Sequence, residues 1–233
     1  MTGFLASVTS VEEASMLLGE ADIIDLKNPA LGALGALPHQ VVEAVVRFVD
    51  GRKPVSATVG DLPMVPEILV DAVSAMALTG VDVVKVGFFG QESHIECARA
   101  LGRLTEQCKM VAVMLADQQP DFLLLDTLAG AGFYGAMLDT AGKSEGGLTH
   151  WLPMPSLRQF VEMANARNLL TGLAGSLRET DIVDLVEMGP DYLGFRGALC
   201  VGHQRQEGIQ WRQAKHIAGV LRECNSGRSS VFV

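Results

Sequence analysis

The sequence predicts a single-domain (β/α)₈ barrel, in which eight parallel strands close into a ring surrounded by helices. The length of 233 residues suits one such domain. Short β-branched apolar runs alternate with longer amphipathic stretches along the whole chain, and the runs number eight, which is the number that closes a barrel. We place the barrel in residues 1–224 and expect the small polar residues 225–233 to form a flexible tail.

The elements follow one another in regular order. The first helix is expected to begin after a Ser10 cap and to end at Gly19. An open doubly wound sheet is the alternative architecture. That fold favours a GxGxxG segment after the first strand, and the sequence has none there. The predicted strands are Phe4–Val8, Asp22–Leu26, Val55–Val59, Val81–Val86, Met110–Leu115, Tyr134–Leu138, Leu169–Ala174 and Tyr192–Phe195. The predicted helices are Val11–Gly19, Gln40–Val49, Val65–Leu78, Glu92–Thr105, Pro120–Ala129, Pro155–Ala166, Glu179–Glu187 and Gln210–Glu223.

Composition and charge exclude several classes of function. The net charge of −9 makes nucleic acid and anionic membranes poor partners. No apolar run reaches the roughly 18 residues of a membrane span, and the first residues do not resemble a signal peptide, so we expect a soluble cytoplasmic protein. The four cysteines form no CxxC pair and the five histidines show no ligand spacing, so neither a metal nor a cofactor is expected.

Charged residues gather where a barrel carries its chemistry, at the C-terminal ends of the strands. Asp25 and Lys27 lie two residues apart on the second strand and share the face expected to point into the barrel mouth. Lys85 ends the fourth strand, Asp139 closes the sixth, and Lys143 follows in the next loop. Three of the six lysines therefore lie at strand ends, although lysine usually occupies solvent-facing helix surfaces.

This arrangement suits a lysine that attacks a carbonyl group. A free lysine is mostly protonated at neutral pH, and burial or a neighbouring cation lowers its pKa toward the neutral, nucleophilic form. Converging lysines in an apolar mouth would provide both effects, and Asp25 or Asp139 would then transfer protons or orient an amine. The alternative for any single lysine and aspartate is a structural ion pair.

The last two strands predict a phosphate site. Barrels often bind phosphate with the loops after strands seven and eight. Gly175 and Ser176 occupy the first of these loops, and Arg196 and Gly197 the second. Glycines allow the backbone to approach an anion closely, and a following helix contributes its dipole.

Other mouth residues admit two interpretations. Asp61 and Asp117 follow strands three and five, either as functional groups or as loop caps. The Gly/Ala-rich segment Pro29–Gly35 resembles a flexible lid, although such segments also serve as simple connectors.

Six motifs resemble the (5-formylfuran-3-yl)methyl phosphate synthase family, also called 4-(hydroxymethyl)-2-furancarboxaldehyde-phosphate synthase. The motifs are ADIIDLKNPALGALGA, VSATVGD, VKVGFFG, AMLDTAGK, LAGS and GFRGALC, and the resemblance covers nearly the whole chain in order. It implies a carbon–oxygen lyase acting on phosphates, which condenses two molecules of glyceraldehyde 3-phosphate to a furan aldehyde phosphate with loss of phosphate and water. The product would supply the furan of methanofuran, a carrier in one-carbon metabolism.

The resemblance also implies residue roles. Lys27 would form the Schiff base and Lys85 would accept a proton, while Asp25, Asp139 and Lys143 match further positions of the family's motifs.

Two other functions compete with this one. Another Schiff-base sugar-phosphate aldolase would share the fold and the lysine chemistry, and a non-catalytic phosphate-binding barrel would need neither lysine to react. Barrels of this type commonly associate, so we expect a homo-oligomer.

Overall fold

The computed structural model describes residues 1–90, 93–142 and 146–229. Within them, eight parallel strands are hydrogen-bonded in sequence order, and the eighth pairs with the first to close a barrel. The predicted (β/α)₈ barrel is confirmed, and the open-sheet alternative is wrong. The strands are β1 (Gly3–Val8), β2 (Ile23–Leu26), β3 (Val55–Thr58), β4 (Val83–Phe88), β5 (Lys109–Leu115), β6 (Gly135–Asp139), β7 (Leu170–Leu173) and β8 (Tyr192–Phe195).

Helices cover the outside of the barrel, and among the described residues none has the length and apolarity needed to cross a membrane. One short helix, α6, was not predicted and precedes the expected helix of its βα unit. Helix α5 begins later than predicted, because the Asp121 carboxylate accepts from the Leu123 N–H and holds a turn before it. The helices are α1 (Val11–Leu17), α2 (His39–Val49), α3 (Pro66–Ala77), α4 (His94–Leu101), α5 (Leu124–Gly130), α6 (Leu148–Trp151), α7 (Met154–Asn165), α8 (Ile182–Glu187) and α9 (Trp211–Ser229).

Helix α9 continues to Ser229, so residues 225–229 of the predicted tail are helical. Asn225, the first residue of the predicted tail, is fixed against the start of β1. Its Oδ1 accepts from the Thr2 N–H at 2.8 Å, and its Nδ2 donates to the Thr2 carbonyl at 2.9 Å.

The strands divide the apolar core into two layers. On β2, Ile24 and Leu26 pack outward against the helices, in the large cluster between strands and helices. A second cluster fills the barrel interior, with Leu5, Val113 and Met137 among its members. Because side chains alternate along a strand, Asp25 and Lys27 point to the inside, as the sequence predicts.

One aromatic ring fills the interior beside the charged residues. Tyr192 on β8 is 2% exposed and lies in the interior cluster. A Cβ at Gly172 on the adjacent strand would lie 2.3 Å from this ring. Gly172 thus provides the space in which the ring lies.

Candidate active site

Asp25 and Lys85 form a buried ion pair inside the barrel. The Lys85 Nζ lies 2.7 Å from Asp25 Oδ1, and both side chains are almost inaccessible to solvent. Two hydroxyl groups complete the coordination of the carboxylate: Ser56 donates to Oδ1 at 2.7 Å, and Ser7 donates to Oδ2 at 2.8 Å. Asp25 is thus held by three donors, which suits a group that positions Lys85 better than one that moves freely with a substrate.

Lys27 forms a second pair at the rim of the same interior. Its Nζ donates to Asp139 Oδ2 at 3.1 Å, and the other Asp139 oxygen accepts from the Thr140 N–H at 2.7 Å. Lys27 is 8% exposed and Lys85 is 2% exposed, so Lys27 is the more accessible of the two amines. The predicted residues Asp25, Lys27, Lys85 and Asp139 are therefore brought together.

The pKa values of Lys27 and Lys85 are shifted in opposite directions. Burial lowers the pKa of Lys85, and the nearby Lys27 charge lowers it further, so that the pKa stays below its ordinary value despite Asp25. Burial also acts to lower the pKa of Lys27, but the carboxylates of Asp139 and Asp25 outweigh it and raise that pKa overall. Burial and a neighbouring cation thus lower the pKa of Lys85 as predicted, whereas for Lys27 the two carboxylates outweigh the effect of burial.

The surrounding residues favour the charged form of the Asp25 carboxylate. Burial acts to raise the pKa of Asp25, but the charges of Lys85 and Lys27 and the hydrogen bonds from Lys85 and Ser56 lower it overall. Lys27 and Lys85 thus each interact with both Asp25 and Asp139 in the barrel interior.

A cavity of about 310 Å³ opens above these pairs at the C-terminal ends of the strands. Lys27, Lys85 and Asp139 form part of its floor, so a bound ligand would meet both amines. The predicted phosphate loops form part of its wall, through Gly175, Ser176, Arg196 and Gly197.

The β7 loop has the backbone geometry of a close-approach turn. Gly175 has φ +112° and Ser176 has φ +51°, and a Cβ at Gly175 would lie 2.9 Å from the Thr140 side chain. The Gly175 carbonyl accepts from the Leu148 N–H of α6, which ties the turn to the neighbouring loop. Among the described residues no acceptor binds the N–H groups of Gly175 and Ser176, so these amides are available to an anion.

The Arg196 side chain is bound on every side by groups of the protein. Its guanidinium binds both oxygens of Glu13, with Nη1 at 2.6 Å and Nη2 at 3.2 Å. Its other bonds go to backbone carbonyls of Ser7, Arg205 and Glu207. All five N–H groups are thus used within the protein, and Glu13 neutralises the guanidinium, which argues against the predicted role of Arg196 as a phosphate-binding cation.

Lys143, the fifth predicted catalytic residue, lies outside the described residues. The segment before it is fixed by Asp117, whose carboxylate accepts from the N–H groups of Ala141 and Gly142 at 2.7–3.1 Å. Of the two interpretations of Asp117, the loop cap is the one that these bonds support.

Asp61 caps the other mouth loop. Its two oxygens accept from the N–H groups of Ala33 and Leu34 at 2.8 and 2.7 Å. Both residues are buried in the interior cluster, so the segment predicted as a flexible lid is fixed at its C-terminal half. A Cβ at Gly32, where φ is +92°, would lie 2.0 Å from Asp61, which explains the glycine.

Sequence reasoning did not identify Ser7, Ser56 or Arg205 as site residues. The first two are the register partners of Asp25 on β1 and β3, so strand alignment is the pattern that would have found them. Arg205 lines the cavity from the segment after β8, where no periodic pattern marks it. Among the described residues, no group of three or more His, Cys, Asp or Glu side chains is arranged to hold a metal ion.

Solved barrels share the fold at low identity. Phosphoribosyl anthranilate isomerase from Thermus thermophilus superposes with a TM-score of 0.68 at 15% identity, covering 96% of this chain and 99% of that one. A 3-hexulose-6-phosphate synthase superposes with a TM-score of 0.66 at 15% identity, with the same coverage.

Sequence relatives are more specific. A protein of Methylorubrum extorquens named putative (5-formylfuran-3-yl)methyl phosphate synthase is 37% identical over 94% of this chain and 91% of its own length. The (5-formylfuran-3-yl)methyl phosphate synthase of Methanocaldococcus jannaschii is 36% identical over 88% of this chain and 92% of its own. The family model described as 4-HFC-P synthase matches residues 4–218. The chain therefore belongs to the 4-HFC-P synthase family and is an enzyme of that family.

Proposed function

We propose that the protein condenses two molecules of glyceraldehyde 3-phosphate, through a Schiff base on Lys27, to (5-formylfuran-3-yl)methyl phosphate in methanofuran biosynthesis. The observation that carries this proposal is the pair of lysine–aspartate contacts at the floor of one cavity. The names of the relatives support the product.

Imine formation begins with loss of a proton from Lys27. Its Nζ is already hydrogen-bonded to Asp139, so the carboxylate is placed to take the proton as the aldehyde enters. The free amine adds to the aldehyde carbon, and water leaves to give the iminium ion. Loss of the Lys27 charge is favoured by burial, which penalises the ammonium form once Asp139 is neutralised.

The iminium makes the adjacent carbon acidic, and Lys85 is the base placed to remove that proton. Its lowered pKa leaves a larger neutral fraction than an ordinary lysine has. Asp25 fixes the amine at 2.7 Å while Ser7 and Ser56 fix Asp25. The enamine then attacks the second aldehyde, and elimination of phosphate and water with ring closure forms the furan. Hydrolysis of the C–N bond of the imine releases the product and regenerates the Lys27 amine.

Borohydride trapping tests the proposal. After incubation with glyceraldehyde 3-phosphate and reduction, we expect a mass adduct on the peptide that contains Lys27. The Lys27→Arg variant retains the charge without forming an imine, so it should show neither adduct nor product. Lys53→Arg, a variant outside the cavity wall, is the matched control and should keep both.

Product analysis separates the competing functions. Furan absorbance in the product is expected. An aldol product without that absorbance would indicate another Schiff-base aldolase, and no adduct on Lys27 would indicate a binding barrel that does not react.

We further propose that the enzyme acts in the cytoplasm as a homo-oligomer. Multi-angle light scattering tests the assembly, and a monomer mass at micromolar concentration would contradict it.

A further inference from the structure

The segment after β8 carries two arginines at the mouth, and the structure uses them differently. Arg196 is enclosed, with 8% of its side chain exposed, and its guanidinium is saturated by Glu13 and three carbonyls. Arg205 lies nine residues further along the chain and is half-buried at the cavity wall. Arg196 is therefore engaged within the protein, whereas Arg205 lines the cavity.

Arg196 fixes the backbone from which Arg205 extends. The Arg196 Nε donates to the Arg205 carbonyl at 2.9 Å, and its Nη2 donates to the Glu207 carbonyl at 3.1 Å. Because the same guanidinium binds Glu13 at the start of α1 and the Ser7 carbonyl of β1, residues 205–207 are held against the barrel wall. A side chain on such an anchored segment has less conformational freedom to lose on binding a ligand.

The Arg205 guanidinium faces the cavity with most of its donors unused. It makes one bond, from Nη1 to the Gly32 carbonyl at 3.3 Å, and its other four N–H groups meet no acceptor in the described part of the chain. No carboxylate of that part lies within ion-pair distance of it. An arginine without a counter-ion, in a pocket that already contains two lysines, indicates an anionic ligand.

The field of Arg205 reaches the reactive amine. Burial and the carboxylates of Asp139 and Asp25 are the main influences on the pKa of Lys27, and the Arg205 charge adds a smaller lowering effect. Arg205 and Lys27 also line the same cavity of about 310 Å³, so one small molecule could contact both.

We propose that Arg205 forms a second phosphate subsite of the cavity, which binds the phosphoryl group of a triose phosphate, and that Arg196 is its positioning residue. This inference rests on the proposed function, because two phosphorylated substrates require two anion sites. The Gly175–Ser176 turn supplies backbone donors for one of them. Arg205 supplies the planar fork that binds phosphate through two parallel hydrogen bonds for the other.

The test compares aldehydes with and without a phosphoryl group. Imine trapping is measured with glyceraldehyde 3-phosphate and with glyceraldehyde, and the ratio of the two second-order rates reports recognition of phosphate alone. The ratio also cancels any change in Lys27 reactivity that follows from removing a nearby charge. We expect Arg205→Met to lower the ratio about tenfold or more, the usual effect of losing charge-assisted hydrogen bonds. Arg205→Lys keeps the charge without the fork and should lie between.

Arg158→Met is the matched control, since Arg158 is exposed on α7 and is not part of the cavity wall. Its ratio should equal that of the unmodified protein. Circular dichroism of each variant checks the fold, and Arg205→Lys serves as the test if Arg205→Met does not fold. An Arg205 variant that folds and keeps the full preference for the phosphorylated aldehyde would overturn the subsite.

A second measurement separates this inference from the proposed function. Calorimetric titration with inorganic phosphate needs no imine, and Arg205→Met should bind phosphate with lower stoichiometry or about tenfold lower affinity. If the unmodified protein trapped neither aldehyde, the Schiff-base mechanism would fail, yet the titration would still decide the subsite. An unchanged titration in Arg205→Met would refute it.

Discussion

Replacing Arg196 with methionine distinguishes a structural arginine from a ligand-binding one. The substitution keeps the length of the apolar stem but removes all five donors. Glu13, whose side chain is 13% exposed, would lose its cation while keeping two hydrogen bonds from Thr9. The carbonyls of Ser7, Arg205 and Glu207 would lose a donor each.

The expected cost follows from the burial of the pair. Removing one partner of a buried ion pair destabilises a protein by about 3–5 kcal/mol, because an uncompensated charge remains. At a urea m-value of about 3 kcal/mol/M, the unfolding midpoint should fall by about 1–2 M. Urea titration followed by circular dichroism measures this shift.

The exposed pair of Arg167 and Asp126 supplies the control. It has similar two-point geometry, with Nε and Nη2 each 2.8 Å from an oxygen, but the aspartate side chain is 63% exposed. Arg167→Met should therefore shift the unfolding midpoint far less than Arg196→Met does, because solvent screens an exposed ion pair. If Arg196→Met cost as little as Arg167→Met while abolishing phosphate binding, Arg196 would be a ligand residue and the reasoning above would be refuted.

Three further changes test the interior and the mouth. Ser56→Ala removes a hydrogen-bond donor from Asp25, so the pKa of Asp25 should rise. Because a lowered carboxyl pKa contributes stability that is lost as pH falls, both the acid limb of kcat/KM and acid unfolding should move to higher pH. Ser56→Thr should restore the pH profile, and an unchanged profile in Ser56→Ala would contradict the role of Ser56. Gly172→Ala places a Cβ 2.3 Å from the Tyr192 ring and should cost about 1–3 kcal/mol in denaturant, partly recovered by Tyr192→Leu; no cost would mean that the ring shifts freely. Asp61→Ala frees two loop amides and should speed their hydrogen exchange, whereas unchanged protection would show that other contacts hold the loop.

The interior of the barrel was predictable because it depends on local alternation. Asp25 and Lys27 share a face whatever the order of the strands, and both point inward as expected. The contact between Lys85 and Asp25 required one more fact, the order of the strands around the closed barrel.

The partner of Arg196 could not be predicted from the sequence. Its position after β8 is the usual one for a phosphate ligand, but the carboxylate that neutralises it lies 183 residues away in α1. A pairing over that separation leaves no periodic trace in the sequence. The same limit explains the tail, since the partner of Asn225 is Thr2, at the other end of the chain.

The row formed by Ser7, Asp25 and Ser56 has a consequence for how this enzyme can change. These three residues are aligned across β1, β2 and β3, so the hydrogen bonds that hold Asp25 depend on the register of the strands. An insertion of one residue before Asp25 would turn it and Lys27 toward the helices and would bring Ile24 and Leu26 inside. Loops around the mouth can be lengthened or exchanged without that penalty. Substrate recognition can therefore change through the loops. The positions of Lys27 and Lys85, in contrast, can change only if the register of the barrel strands changes as well.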